Sequence, residues 1–159
     1  MRALDLTLRA LGQGNLNAAI DLRARMNQEM NGSDPDSEYP GWRLRFENFF
    51  ASRIGAGSAA MYIAEMGGAA VGLACVYVLS NHRTEIFLRP VAYITSVYVV
   101  PEKRRQGLAT ALTQACIDWA VARGIDIVRL RASEMGRPLY AGMGFTPSNE
   151  LEMLPKRTS

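Results

Sequence analysis

An apolar run from Val91 to Val100 stops at Pro101, passes a basic turn through Lys103, Arg104 and Arg105, and enters a helical pattern at Gly107. A second apolar stretch, Ile125 to Ala132, follows that helix after Gly124. Strand, helix, strand in this order needs parallel neighbours in one sheet, because the helix carries the chain back to the end where the first strand began. Upstream, Met61 to Glu65 and Ala70 to Leu79 read as strands joined by Met66-Gly67-Gly68, and those glycines tolerate the positive φ of a tight hairpin. The expected fold class is therefore α/β in the broad sense, an α+β chain built on a mixed sheet.

The remaining elements follow from periodicity. Leu4 to Leu11 alternates as a first strand closed by Gly12 to Gly14, after which Asn15 can cap a helix. Ala18, Ala19, Leu22, Met26 and Met30 form its apolar stripe, with Arg23, Arg25 and Glu29 opposite, and it ends near Gly32. Asn31 to Pro40 reads as a polar loop, and Trp42, Phe46, Phe49, Phe50 and Ile54 mark a second helix. Ser80 to Pro90 is polar and carries no assignment. The helix after the basic turn is expected to bury Leu108, Ala111, Leu112, Ala115, Cys116 and Trp119 and to end at Gly124. Pro138 opens a short helix bearing Tyr140, and a last strand is expected near Thr146 to Leu154. With 48% apolar and 21% charged residues, positions 1–159 are read as one domain.

The basic turn has a chemical meaning. A strand that feeds a helix through a small-residue turn leaves the first helical N–H groups without partners, and the helix dipole adds partial positive charge there. Phosphate oxygens fit such a site, and Lys103, Arg104 and Arg105 add attraction for a polyanion. The P-loop pattern is absent, since Gly107 is followed by Leu108 and not by lysine. The dinucleotide pattern fails too: Gly12, Gly55 and Gly142 each begin Gly-x-Gly, but Asn17, Ala60 and Pro147 stand where the third glycine belongs.

Arg104-Arg105-Gln106-Gly107-Leu108-Ala109 resembles the Arg/Gln-x-x-Gly-x-Gly/Ala signature of the GCN5-related N-acetyltransferase (GNAT) superfamily. Tyr140-Ala141-Gly142-Met143-Gly144-Phe145 resembles that family's Tyr-x-x-x-Gly-Phe element. The resemblance covers Val91 to Thr146, and the residues before it match in layout alone. It implies a twisted mixed sheet with helices on both faces, in which the strands holding Val97 and Leu130 splay apart around coenzyme A. It further implies that the main chain of Val97, Tyr98 and Val99 pairs with the pantetheine amides, and that Arg104, Arg105, Gln106, Gly107, Leu108, Ala109 and Thr110 cradle the pyrophosphate. By the same resemblance Tyr140 protonates the departing thiolate, with acetyl-CoA as co-substrate. The activity implied is acetyl-CoA-dependent N-acetyl transfer to a primary amine of a small molecule or peptide, by direct attack in a ternary complex.

One departure matters. Relatives commonly carry a glutamate on the strand before the signature, yet Ala92 to Val100 contains no carboxylate. Glu65, Glu85, Glu134 and His82 are the alternatives, and none is assigned as base. The missing carboxylate suits a rival, an acyl-CoA sensor without turnover; a nucleotide binder on an unrelated sheet is a second. The resemblance places the acceptor between the loops at 31–40 and 80–90, where Asp34, Asp36 and Glu38 would complement a cationic amine. Relatives often form homodimers, though no residue here demands it.

Other classes are set aside on composition. A net charge of +3, without aromatics among the basic residues, predicts a mildly basic surface and no nucleic-acid partner. Met66 to Leu79 is too short for a membrane span, which takes about 20 residues, so no membrane partner is expected. Asp5 and Arg9 interrupt any signal-peptide core, and a cytoplasmic location is expected. Cys75 and Cys116 are expected to be buried free thiols. His82 is the single histidine, which excludes a histidine-rich zinc site, and no metal is expected.

Overall fold

The computed structural model describes residues 5–79 and 89–157. In chain order it contains β1 (Leu6–Ala10), α1 (Asn17–Asn31), α2 (Pro35–Glu38), α3 (Trp42–Gly55), β2 (Ala59–Met66) and β3 (Ala69–Leu79). These are followed by β4 (Val91–Val99), a 3-10 turn (Pro101–Lys103), α4 (Leu108–Ala122), β5 (Ile127–Leu130) and α5 (Arg137–Gly142). The strands form one sheet in the order β1-β2-β3-β4-β5. Neighbours are antiparallel up to β4, and β4 and β5 are parallel, as the crossover through α4 requires.

Alternation along β3 decides which helix covers which face. Gly72 faces α4, where a Cβ would meet Leu112, whereas Tyr77 lies on the opposite face and packs edge-on against Phe49 of α3 at 5.1 Å. Helices thus cover both faces of the sheet. Leu112, Thr113, Cys116 and Ala120 of α4 are fully buried. On the other side, α1 contributes Ala19, Ile20 and Leu22, while Trp42 and Phe50 of α3 complete the core. The hairpin between β2 and β3 turns on Gly67 (φ 58°) and Gly68 (φ 80°), the positive pair that a two-residue turn of this hand requires.

Gly72 is a close approach. A Cβ there would sit 2.8 Å from Leu112 Cδ1 and 3.3 Å from both Ala64 Cβ and the Tyr98 carbonyl oxygen. Gly72→Ala should lower stability by about 1–3 kcal/mol, the usual cost of overpacking. Denaturant unfolding checks this, and in a Leu112→Ala background the penalty of Gly72→Ala should shrink because its nearest neighbour is gone.

The structure corrects several expectations. The loop at 31–40 contains α2, whose N-cap Asp34 accepts a hydrogen bond from the Asp36 N–H at 3.1 Å. Met30 is 68% exposed, because the last turn of α1 presents Glu29 to the Tyr98 hydroxyl of β4, so the apolar stripe does not continue to Met30 as core. In α4, Ala111 and Ala115 are half-buried, while Thr113 is fully buried and satisfies its hydroxyl on the Ala109 carbonyl at 2.7 Å. The strand expected near Thr146 to Leu154 does not form. Ion pairs Arg129–Glu150 (3.2 Å) and Arg131–Glu152 (3.6 Å) link this segment to the β5 region without a main-chain ladder. Most of Ser80 to Pro90, including His82 and Glu85, lies outside the described residues.

Candidate active site

The site starts at a bulge. Leu73 of β3 faces Tyr98 and Cys75 faces Thr95, so two steps along β3 match three along β4. The extra residue is accommodated around Ser96, which takes a positive φ of 55°. Beyond the bulge Tyr98 points to the α1 face of the sheet and Val99 to the α4 face. On its other edge β4 pairs with β5 only from Val91 to Ile94. From Thr95 onward that edge has no strand beside it among the described residues, and the two strands part.

The opening leads to the turn. Lys103 N–H donates to the Val100 carbonyl at 3.0 Å and Arg104 N–H to the Pro101 carbonyl at 3.3 Å; helical bonding resumes when Ala111 N–H reaches Gly107 O at 3.0 Å. Between them, the main-chain N–H groups of 105–110 find no acceptor among the described residues. Arg105 (φ 62°) and Gly107 (φ 81°) both adopt the left-handed conformation, which curls the chain around these donors. Space beside Gly107 is open, with no atom within 4 Å of an added Cβ. This is a concave set of unsatisfied donors at the positive end of a helix.

A cleft of about 400 Å³ joins these parts. One wall is formed by Val97, Tyr98 and Val99 with Arg104, Arg105, Gly107, Leu108 and Ala109, and the other by Gly136, Leu139 and Tyr140. Gln106 and Thr110 are exposed and lie outside the lining. Tyr140 sits on α5, which opens with Pro138 in its first turn. Its ring meets Phe145 edge-on at 5.8 Å, and the Phe145 N–H returns to the Tyr140 carbonyl at 3.0 Å. Gly136 makes room for the ring, since a Cβ there would lie 3.0 Å from Tyr140 Cε2. Burial raises the pKa of the Tyr140 phenol, with the Cys116 thiol adding to it, so the hydroxyl keeps its proton at neutral pH.

Arg104 is the residue whose side chain goes elsewhere. Its Nε donates to the Val99 carbonyl at 3.0 Å and its Nη2 to Glu29 Oε1 at 2.6 Å. The Tyr98 hydroxyl donates to the other oxygen of the same carboxylate at 2.9 Å. The hydrogen bond from Arg104, helped by that from Tyr98, holds the Glu29 carboxyl below the usual carboxylate range. Lys103 and Arg105 form no ion pair among the described residues and remain at the cleft as positive charges. Nothing in the sequence singles out Glu29, which stands on the polar side of α1.

The acids of the 31–40 segment are locally engaged. Asp36 accepts from Arg43 Nε and from Trp42 Nε1, each at 2.8 Å, and the Arg43 bond holds its carboxyl low. Asp34 caps α2, and Glu38 accepts from the Ser33 hydroxyl. Glu65 pairs with Arg9 at 2.6 Å on the β1–β2 ladder, and Glu134 is exposed next to the cleft residue Ser133. Cys75 and Cys116 are buried free thiols. Burial pushes Cys116 up to about 12 and Cys75 well above its ordinary value, which leaves neither as a ready nucleophile. Among the described residues no group of His, Cys, Asp or Glu could hold a metal ion, and no helix is long and apolar enough to cross a membrane.

Comparison with known proteins places this geometry. Over 90 residues the chain is 29% identical to the aminoglycoside N(6')-acetyltransferase type 1 of Klebsiella aerogenes, a match spanning 57% of this chain and 59% of that protein. A GCN5-related N-acetyltransferase from Ralstonia eutropha JMP134 superposes with a TM-score of 0.77 at 27% identity, covering 94% of this chain and 98% of that one. A predicted acetyltransferase of Clostridium acetobutylicum, solved with acetyl-CoA, superposes at 0.81 with 22% identity over 94% and 96% of the two chains. The profile of the acetyltransferase (GNAT) family matches residues 20–145, a span that contains both the Arg104–Ala109 turn and the Tyr140–Phe145 element. By that match and by its fold, the chain belongs to the GNAT acetyltransferase family.

Proposed function

We propose that this protein transfers the acetyl group of acetyl-CoA to a primary amine by direct attack in a ternary complex, from one domain spanning 1–159. One observation carries the reading: the parting of β4 from β5 at Val97–Val99, the turn residues Arg105, Gly107, Leu108 and Ala109 with their free N–H groups, and Tyr140 all border a single cleft. In it the cradle donors take the pyrophosphate and the open edge of Val97, Tyr98 and Val99 pairs with the pantetheine amides, while Arg105 and Lys103 attract the polyanion. Held in that edge, the thioester carbonyl is presented to the amine in a fixed orientation. The amine nitrogen forms a bond to the carbonyl carbon, the carbon–sulfur bond breaks, and Tyr140 gives its proton to the departing sulfur. The proton lost by the amine passes to water, consistent with a strand that carries no carboxylate.

The acceptor proposed is a small cationic amine, of which the aminoglycoside in the Klebsiella relative's name is one example. Because Asp34, Asp36 and Glu38 are occupied by local hydrogen bonds, they are not assigned to its recognition. Calorimetric titration with acetyl-CoA, using NAD and ATP as controls, tests the donor side, and thiol release with aminoglycosides, polyamines and peptide amines tests the acceptor side. Selective acetyl-CoA binding followed by amine-dependent thiol release is expected. Binding without release for any amine would favour the sensor, and no binding would end both readings.

A further inference from the structure

Helix α1 is tied to the donor cleft by side chains that no motif announces. Glu29, in its last turn, accepts from Arg104 at 2.6 Å and from the Tyr98 hydroxyl at 2.9 Å. One turn earlier, Arg25 pairs with Glu102 at 3.5 Å, on the 3-10 turn that leads into Arg104. Arg104 itself is pinned at two points, since its Nε also holds the Val99 carbonyl at 3.0 Å. The guanidinium of the signature's first residue is thus engaged by the protein and bridges the end of β4 to α1. A two-point grip of this kind fixes the whole side chain and the main chain that carries it.

We propose that Glu29 is a positioning residue of the donor site: through Arg104 and Tyr98 it holds the cradle in the shape that receives a diphosphate. This rests on the reading of the cleft as an acetyl-CoA site. The physical reason is the conformation that follows Arg104. Arg105 sits at φ 62°, an unfavourable conformation for a side chain of its size, and such a residue keeps it only when its neighbours hold it. On one side Gly107 and α4 do so; on the other the support is Arg104, anchored to Glu29 and Val99. A cradle held in advance avoids the ordering cost on binding, whereas one that must be reassembled around the ligand loses that part of its affinity.

The test compares Glu29→Ala with Glu29→Gln, measuring the acetyl-CoA dissociation constant by calorimetry, kcat and its pH profile with a working amine, and thermal unfolding. Glutamine keeps an acceptor for Arg104 and a polar partner for Tyr98 without the charge. The expected result is that Glu29→Ala weakens acetyl-CoA binding about fivefold with kcat at saturation unchanged, that Glu29→Gln stays within about twofold of wild type, and that the losses from Glu29→Ala and Arg104→Ala are less than additive in the double variant, since the two share one contact. A parallel fall of kcat in both variants, with loss of the acidic limb of the pH profile, would overturn the proposal and make Glu29 a base. Unchanged or tighter binding in Glu29→Ala would also overturn it, the carboxylate then being indifferent or opposed to the phosphates. Failure of the wild type itself to bind acetyl-CoA would remove the reading of the cleft and this inference with it. Binding by the wild type and the alanine variant alike removes only the inference.

Discussion

Gly107→Glu should weaken acetyl-CoA binding at least about a hundredfold while leaving a folded protein. Gly107 stands at the N-cap of α4 with φ 81° and nothing within 4 Å of an added Cβ, so the new side chain enters empty space and not the core. The left-handed conformation costs a non-glycine residue roughly 1–2 kcal/mol of stability, which a domain of ordinary stability survives. Binding suffers far more, because the carboxylate is placed among the N–H donors of 105–110, where it both occupies the phosphate space and repels the ligand. Repulsion between like charges in such a place costs several kcal/mol, and about 2.7 kcal/mol already corresponds to a hundredfold. Gly107→Asn separates the causes, since asparagine tolerates the left-handed conformation and carries no charge. It should lose less affinity than the glutamate variant. Calorimetry with acetyl-CoA reads both, and near-wild-type binding by Gly107→Glu would mean that the diphosphate does not sit at this helix end.

How much of this was legible beforehand depends on the range over which each feature is encoded. Pro101 and Gly107 bracket the cradle within a few residues, and the Gly67-Gly68 hairpin is equally local, so both could be read along the chain. The same holds for Pro138 opening α5 under Tyr140. What could not be read is what depends on distant partners. Glu29 and Arg104 are far apart in sequence, and on the polar side of α1 a glutamate bound for the cleft looks the same as one bound for water. Nor does Thr95-Ser96-Val97 contain any mark of the bulge, which arises because β3 and β4 fall out of step. The segment from Thr146 to Leu154 alternates only over Leu151-Glu152-Met153 after Pro147, Ser148 and Asn149, and a strand needs a ladder, whose presence so short an alternation cannot announce. Along the chain Asp34, Asp36 and Glu38 read as a charge cluster, whereas capping and the Arg43 pair engage Asp34 and Asp36 at short range.

Tyr140→Phe should lower kcat about a hundredfold with the acetyl-CoA dissociation constant within about threefold of wild type, the signature of a group needed only as bonds break. Phenylalanine retains what the ring does for the fold: the edge-on contact with Phe145 at 5.8 Å and the fit over Gly136. Stability should therefore change little, and the loss can be assigned to the hydroxyl. The pH dependence has a definite sign. Burial raises the Tyr140 pKa, so the protonated form that donates persists beyond the ordinary phenol value of about 10. The wild-type rate should consequently rise from neutral pH toward about 9, as the cationic acceptor amine gives up its proton and becomes a nucleophile, with no fall from loss of the Tyr140 proton over that range. The phenylalanine variant should lie below the wild type by a similar factor over that whole range, since no side chain that titrates there has been removed. If turnover with a working amine is the same in both proteins, the sulfur takes its proton from elsewhere, and Tyr140 serves the cleft as a wall.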